Sequence, residues 1–313
     1  MIHPSKLPLS ILGAPTDVGA GIQGCGMGPQ ALRVAGLLQA LQQLGLNAVD
    51  EGDVSGPPNS LMPAEGGYRH LSEVTQWCEK VYEAICGILD RGRFPLMLGG
   101  DHSLAMGSIS AVSDYCLRQG RTLRVLWLDA HADFNTVQTS PGGHLHGMPL
   151  AVLCGHGPEV LFSLGGQRKP LAALDARCIR LMGVRSVDAL ERHFLHSQGI
   201  EVFDMRYLDE YGMRHAMQSA LAGIDERTHL HVSLDVDFLD PDMAPGVGTP
   251  VRGGPTYREA QLCMEMISDS GALRSLDVVE LNPARDIQNR TAETTVELLQ
   301  SLFGRSTLLR SPA

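Results

Sequence analysis

The chain has 313 residues, a formal net charge of -10 and a pI near 5.6; 43% of its residues are hydrophobic and 19% charged. This composition argues against a disordered chain, and an acidic balance without a basic cluster argues against a nucleic-acid-binding protein. No apolar run approaches the ~20 residues needed to span a bilayer, and the first residues, MIHPSKLPLSILGAP, lack the long apolar run of a signal peptide.

The expected elements alternate along the chain. A strand at 9–13 is followed by a helix at 30–43. The Pro/Gly-rich stretch 53–67 (DVSGPPNSLMPAEGG) reads as an excursion at one sheet edge, because strand–helix alternation continues on both sides of it. A helix at 71–90 leads to a strand at 94–98, and a helix at 104–118 to a strand at 123–129. Strands at 178–184, 200–204 and 229–235 then alternate with helices at 187–196 and 206–221. A helix at 257–270, a strand at 273–279 and a helix at 291–302 close the series. Such alternation predicts a mostly parallel sheet covered on both faces, in one domain over residues 1–313. The seven cysteines (Cys25, Cys78, Cys86, Cys116, Cys154, Cys178 and Cys263) are odd in number and form no C-x-x-C, so reduced thiols in a cytoplasmic protein are expected.

Three of the strands end in metal-binding side chains. The strand at 94–98 runs into GGDHS, which holds His102. The strand at 123–129 runs into DAHADFNT, with Asp129, His131 and Asp133 two apart, and the strand at 229–235 ends in SLDVDFLDP, with Asp235 and Asp237 two apart. Side chains two apart in an extended segment point the same way. In a parallel sheet, ligands bind beyond the carboxyl ends of the strands. An isolated D-x-H-x-D is equally well a polar loop with a capping Asp; three such ends together are not. Four crowded carboxylates would repel one another or protonate, but they balance the charge of two divalent cations. Oxygen-rich donors with two imidazoles suit Mn²⁺, although Zn²⁺, Fe²⁺ and Co²⁺ accept the same set. Two such ions ~3.5–4 Å apart hold a water of lowered pKa, which suits hydrolysis of an unreactive group.

These stretches, with HLHGMPL (144–150), SLDVDFLDPDMAPGVGTPVRGGPTYRE (233–259), DVVELNP (277–283) and the opening GAP and GMGPQALR, resemble the ureohydrolase family, and within it the arginases more than the agmatinases. The resemblance covers nearly the whole chain. It implies a three-layer α/β/α sandwich around the parallel sheet. It implies hydrolysis of L-arginine to L-ornithine and urea with two Mn²⁺ per subunit, through a metal-bridging hydroxide. One metal would take His102, Asp129, Asp133 and Asp235, and the other Asp129, His131, Asp235 and Asp237.

The same resemblance assigns the remaining roles. Glu280, at a strand end, would grip the guanidinium with fork-like hydrogen bonds. Asp133 would also align the nucleophile, and His146 would pass a proton to the leaving amine. Thr249 would lie near the guanidino group, Asp188 and Glu191 near the α-amino group, and Asn135 near the α-carboxylate. Asp188 also reads as a helix cap and Asn135 as a turn residue. Arg258 and Glu259 would join subunits of a homo-oligomer, a trimer or hexamer. The chain departs from most arginases at Gly142-Gly143-His144, where they carry Ser-Gly-Asn. His144 either replaces the amide as a substrate contact or reshapes the pocket for another guanidino or formimino compound, such as agmatine, guanidinobutyrate or formiminoglutamate. An inactive metal-binding structural or regulatory subunit is the remote alternative.

Overall fold

The fold is described from a computed structural model covering residues 7–60, 62–140, 142–164 and 173–308. Short buried runs form the strands: β1 (Leu9–Ala14), β2 (Ala48–Asp53), β3 (Phe94–Gly99), β4 (Thr122–Leu128), β5 (Ile179–Met182), β6 (Glu201–Phe203), β7 (Thr228–Asp235) and β8 (Leu273–Val279). They build one sheet in the order β2-β1-β3-β8-β7-β4-β5-β6, and every neighbouring pair is parallel. The four strands in the middle, β3, β8, β7 and β4, carry the motifs.

The helices are α1 (Gly28–Val34), α2 (Leu37–Gln43), α3 (Leu71–Asp90), α4 (Ala105–Gln119), α5 (Pro149–Leu153), α6 (Ala189–Ser197), α7 (Met205–Ala220), α8 (Tyr257–Ser270) and α9 (Arg290–Leu302). Alternate strand residues send side chains to opposite faces. Leu126 and Leu128 of β4 pack with α1, α2, α7, α8 and α9, whereas Val125 and Trp127 pack with α4, α5 and α6. Met97 of β3 joins α3 on that second face. The result is the expected three-layer α/β/α sandwich.

The differences from expectation have local causes. Strand β2 was not expected, because AVDEGD has no apolar alternation; it is an edge strand held by β1 and by Arg33, whose guanidinium reaches Asp50 and Asp53 at 2.7 Å each. The Pro/Gly-rich stretch leaves that edge, as expected. The helix expected at 30–43 is two, because Gly36 sits at φ 81, in the left-handed region that glycine adopts readily. Gly212 similarly interrupts α7 (φ 80, ψ 153). Strands β5 and β6 are shorter than expected, and α5 was not expected. The seven cysteines are free thiols, and no described helix is long and apolar enough to cross a membrane.

Candidate active site

The carboxyl ends of β3, β4, β7 and β8 meet. After β3 the backbone passes Thr16 so closely that a Cβ on Gly100 would lie 1.6 Å from its carbonyl oxygen. Asp101 then caps the turn that follows by accepting from the Ser103 amide at 3.0 Å, which sets His102 in place. The His102 ring stacks on Trp127 with centroids 3.9 Å apart. Its Nε2 lies 2.8 Å from Ser233 Oγ, and its Nδ1 lies 3.2 Å from Asp129, 3.1 Å from Asp133 and 3.2 Å from Asp235. His131 Nδ1 lies 3.1 Å from Asp237 and 3.5 Å from Asp129. Two groups of donor atoms result, His102/Asp129/Asp133 and Asp129/His131/Asp237, with Asp129 common to both and Asp235 beside the first.

The side chains two apart converge by a different route from the one expected. Strand β4 stops at Leu128, and the next residues turn: Asp129 Oδ1 accepts from the His131 amide at 2.6 Å, and Asp133 adopts φ 49. Asp235 Oδ1 likewise accepts from the Asp237 amide at 2.7 Å inside a 3-10 turn. Short carboxylates bonding their own backbone two residues on produce the alignment, rather than strand alternation.

The donor set fits cations. Asp129, Asp133, Asp235 and Asp237 are all buried, and among the described residues no Lys or Arg ion-pairs with any of them. Unpaired carboxylates in such surroundings are costly. With protons alone to balance them, burial and the neighbouring Asp237 and Asp129 raise Asp235 well above its usual range. Burial and Asp129 raise Asp133 to about 6. Burial opposes a charge on His131, yet Asp237 and Asp129 lift it to about 12; His102 rises for the same reason beside Asp129, Asp133 and Asp235. Without metal the two imidazoles are thus pushed towards taking up protons, a role that divalent ions would fill with the rings as neutral donors.

Glu280 follows β8 at φ 63, with its amide donating to the Gly100 carbonyl at 2.7 Å. It and Asp133 are non-glycine residues in left-handed backbone, a cost of ~1–3 kcal/mol each that the surroundings sustain. Glu280 Oε1 accepts from the His102 amide at 2.9 Å and lies 3.0 Å from His146 Nδ1; Oε2 accepts from the Cys25 thiol at 3.2 Å. Burial would raise the Glu280 pKa, but His146 outweighs it and holds the carboxyl below its usual range. Burial would lower His146, but Glu280 raises it to about 9.

A cavity of about 200 Å³ opens over these groups, lined by His131, Asp133, Asn135, His146, Gly147, Ser186, Asp188, Glu191, Asp235, Thr249 and Glu280. Thr249 Oγ1 donates to Asp237 at 3.1 Å, and Asn135 Nδ2 to Asp188 at 3.3 Å. Asp188 caps α6, and the buried Glu191 carboxylate accepts from the Asp188 amide at 3.2 Å and the Phe134 amide at 2.8 Å. Both the capping role and the pocket position therefore hold for this pair. Arg258 and Glu259 start α8: Glu259 is engaged in a capping box with Thr256, and Arg258 donates to Gln261.

His144 does not line the cavity. Its ring lies 6.2 Å from that of His146, its Nδ1 is buried without a partner among the described residues, and a Cβ on Gly21 would lie 3.3 Å from its Nε2. Arg69 anchors the loop through the Gly142 and Gly143 carbonyls at 2.9 Å each. Residues not anticipated from the sequence include Ser233, Trp127, Asp101 and Cys25. Ser233 was within reach, since it precedes Asp235 by two on β7. The contact of Cys25 with Glu280 spans 255 positions and leaves no local signal.

A sequence model of the arginase family matches residues 8–304. An arginase of Bacillus caldovelox is 42% identical over 300 residues, covering 95% of this chain and 98% of that protein. An arginase of Brucella melitensis biotype 1 is 43% identical over 303 residues, covering 96% and 97%. The solved structure of the Bacillus caldovelox arginase aligns with a TM-score of 0.90 over 96% of this chain and 100% of that one. The structure of Entamoeba histolytica arginase in complex with L-ornithine aligns at 0.84 and 28% identity, over 95% and 98%. On this sequence match, fold and arrangement of buried donors, the chain belongs to the arginase family.

Proposed function

We propose that the chain is an arginase, a hydrolase that converts L-arginine to L-ornithine and urea with two Mn²⁺ per subunit. The observation that carries this reading is the set of four buried aspartates and two histidines at 3.1–3.5 Å, opening into a cavity that also exposes Glu280 and His146. His102, Asp129, Asp133 and Asp235 would hold one ion, and Asp129, His131, Asp235 and Asp237 the other. When bound, the ions supply a water of lowered pKa as the nucleophile near neutral pH.

The chain's own groups do the rest. Glu280 presents two carboxylate oxygens to the planar guanidinium and orients it. Asp133 accepts a hydrogen bond from the nucleophile and aligns it with the guanidinium carbon. His146, kept protonated by Glu280, delivers a proton to the departing amine. Asn135, Asp188 and Glu191 shape the wall for the amino-acid end, and Thr249, bonded to Asp237, lies towards the guanidino group.

One observation favours a second reading. Gly142 carries no side chain and His144 lies off the cavity wall, so the loop offers no hydroxyl or amide to an amino-acid end. Agmatine, guanidinobutyrate or formiminoglutamate would then replace arginine in the same chemistry, with His144 shaping the pocket from behind. By family resemblance we also propose a single domain and a cytoplasmic homo-oligomer, trimer or hexamer. Asp133→Ala and Asp237→Ala test the metal assignment: bound metal and urea release should fall together. Unchanged activity in both variants contradicts it.

A further inference from the structure

A second cavity, about 440 Å³, opens at the other end of the sheet. Its wall is built where the central strands begin. Arg93 directly precedes β3, Arg121 directly precedes β4, and His229 and Arg274 are the second residues of β7 and β8. Leu7, Leu89 and Tyr115 line it as well, and the exposed Glu226 also borders it. From His229 to Asp235 along β7 is roughly 20 Å at ~3.3 Å per residue, so this cavity lies well away from the active site.

The charge here is unbalanced. The chain has 35 acidic and 25 basic residues, and Arg33, Arg91 and Arg118 take carboxylates at 2.6–3.0 Å. Among the described residues no carboxylate lies within ion-pair distance of Arg93, Arg121 or Arg274, and the remaining residues include no Asp or Glu. Arg93 is engaged by Ser10 Oγ at 2.6 Å and the Leu9 carbonyl at 2.7 Å. Glu51, behind Ser10, is already held by Arg91 at 2.6 Å. Arg274 donates only to the Gly271 and Leu273 carbonyls, and Arg121 makes no side-chain hydrogen bond among the described residues. Burial and the charge of Arg121 both disfavour the charged form of Arg274.

A buried polar side chain completes the wall. His229 is 2% exposed; its Nε2 lies 2.9 Å from Ser275 Oγ, and its Nδ1 has no partner among the described residues. Burial and the neighbouring His231, Arg274 and Arg121 disfavour its charged form, and in the tautomer whose Nε2 accepts from the Ser275 hydroxyl the Nδ1–H is a donor.

We propose that this cavity is a second ligand site, for a small organic anion with more than one carboxylate or phosphate group, held by Arg121 and Arg274 with His229 beside them. Guanidinium forks match these oxyanions in shape and charge. The volume lies within the range of small-molecule pockets, about 300–1,000 Å³, and Leu7 and Leu89 offer apolar wall to a carbon skeleton. An anion there neutralises two guanidinium charges that no carboxylate among the described residues ion-pairs, the exposed Glu226 at the rim included.

The test is calorimetric titration of the full-length, Mn²⁺-loaded protein at constant ionic strength. Succinate and tricarballylate represent carboxylates, and glycerate 2,3-bisphosphate and fructose 1,6-bisphosphate represent phosphates. Saturable binding of at least one is expected, and the preferred series identifies the source of the oxyanion. Arg121→Gln and Arg274→Gln should weaken that binding at least tenfold. Because Arg274 also bonds two carbonyls, Arg121→Glu at an exposed position provides a variant that does not depend on its folding. Urea release without added anion should be unchanged in Arg121→Gln. No saturable binding by any of the four anions overturns the proposal, as does wild-type affinity in both Arg121→Gln and Arg121→Glu.

Discussion

His146 Nδ1 lies 3.0 Å from Glu280 Oε1, and that same oxygen accepts from the backbone amide of His102. The group that would hold the guanidinium therefore also positions the group that would protonate the leaving amine, and both are fixed to the turn that carries a metal ligand. The contact joins a glycine-rich loop to the end of β8 across 134 positions.

This geometry separates proton delivery from metal binding. His146→Asn should retain the metals, because His146 is outside both donor groups. Turnover should fall by a factor on the order of 10²–10⁴. Metal analysis beside steady-state kinetics checks this, and full activity would remove His146 from the mechanism.

Ser233 fixes the far side of the His102 ring at 2.8 Å. Outer partners of this kind orient ligating imidazoles, and their loss typically weakens metal affinity ~10–100-fold. Ser233→Ala should show that loss in a chelator competition. Unchanged affinity would mean that stacking on Trp127 holds the ring unaided.

Glu191 gives a pH dependence with a definite sign. Burial raises its carboxyl from 4.5 to about 7 in the folded chain. Between those values the folded state binds more protons than the unfolded one, so this group's contribution to stability falls as pH rises through about 4.5 to 7. The full effect is about 3 kcal/mol. Denaturant titrations of metal-free wild type and Glu191→Gln should therefore give a stability difference that shifts in favour of the variant as pH rises across that window. A pH-independent difference contradicts the assignment.

Gly143 sits at φ 68, and a Cβ there would lie 2.3 Å from the Gly67 carbonyl oxygen. Gly143→Ala should cost ~1–3 kcal/mol through backbone strain alone, with more from the clash, and displace the loop that carries His146. Stability and kcat should fall while metal content is kept; wild-type values for both would show that the loop is not held as described.

Much of this was legible in the sequence because it is local. The strand ends at His102, Asp129 and Asp235 announce themselves through apolar runs that stop abruptly at polar pairs. Strand β2 escaped because AVDEGD is stabilised by Arg33 rather than by apolar alternation. The break at Gly36 escaped because helical periodicity runs on across it. The convergence of Asp129 and Asp133 was anticipated, but its cause was not: a side-chain-to-backbone turn and a left-handed residue replace the extended segment. Contacts such as Cys25 with Glu280 are made by the topology and have no sequence spacing to read.

The reaction assigned to the paired acidic centre is hydrolysis of L-arginine. Its most direct test is urea release from Mn²⁺-loaded protein, with L-arginine, agmatine and guanidinobutyrate in parallel. Rapid urea release from L-arginine, with the other two poor, is the predicted result. Urea from agmatine or guanidinobutyrate with arginine inert would contradict arginine as the substrate, and no urea from any of them would contradict the hydrolytic reading itself.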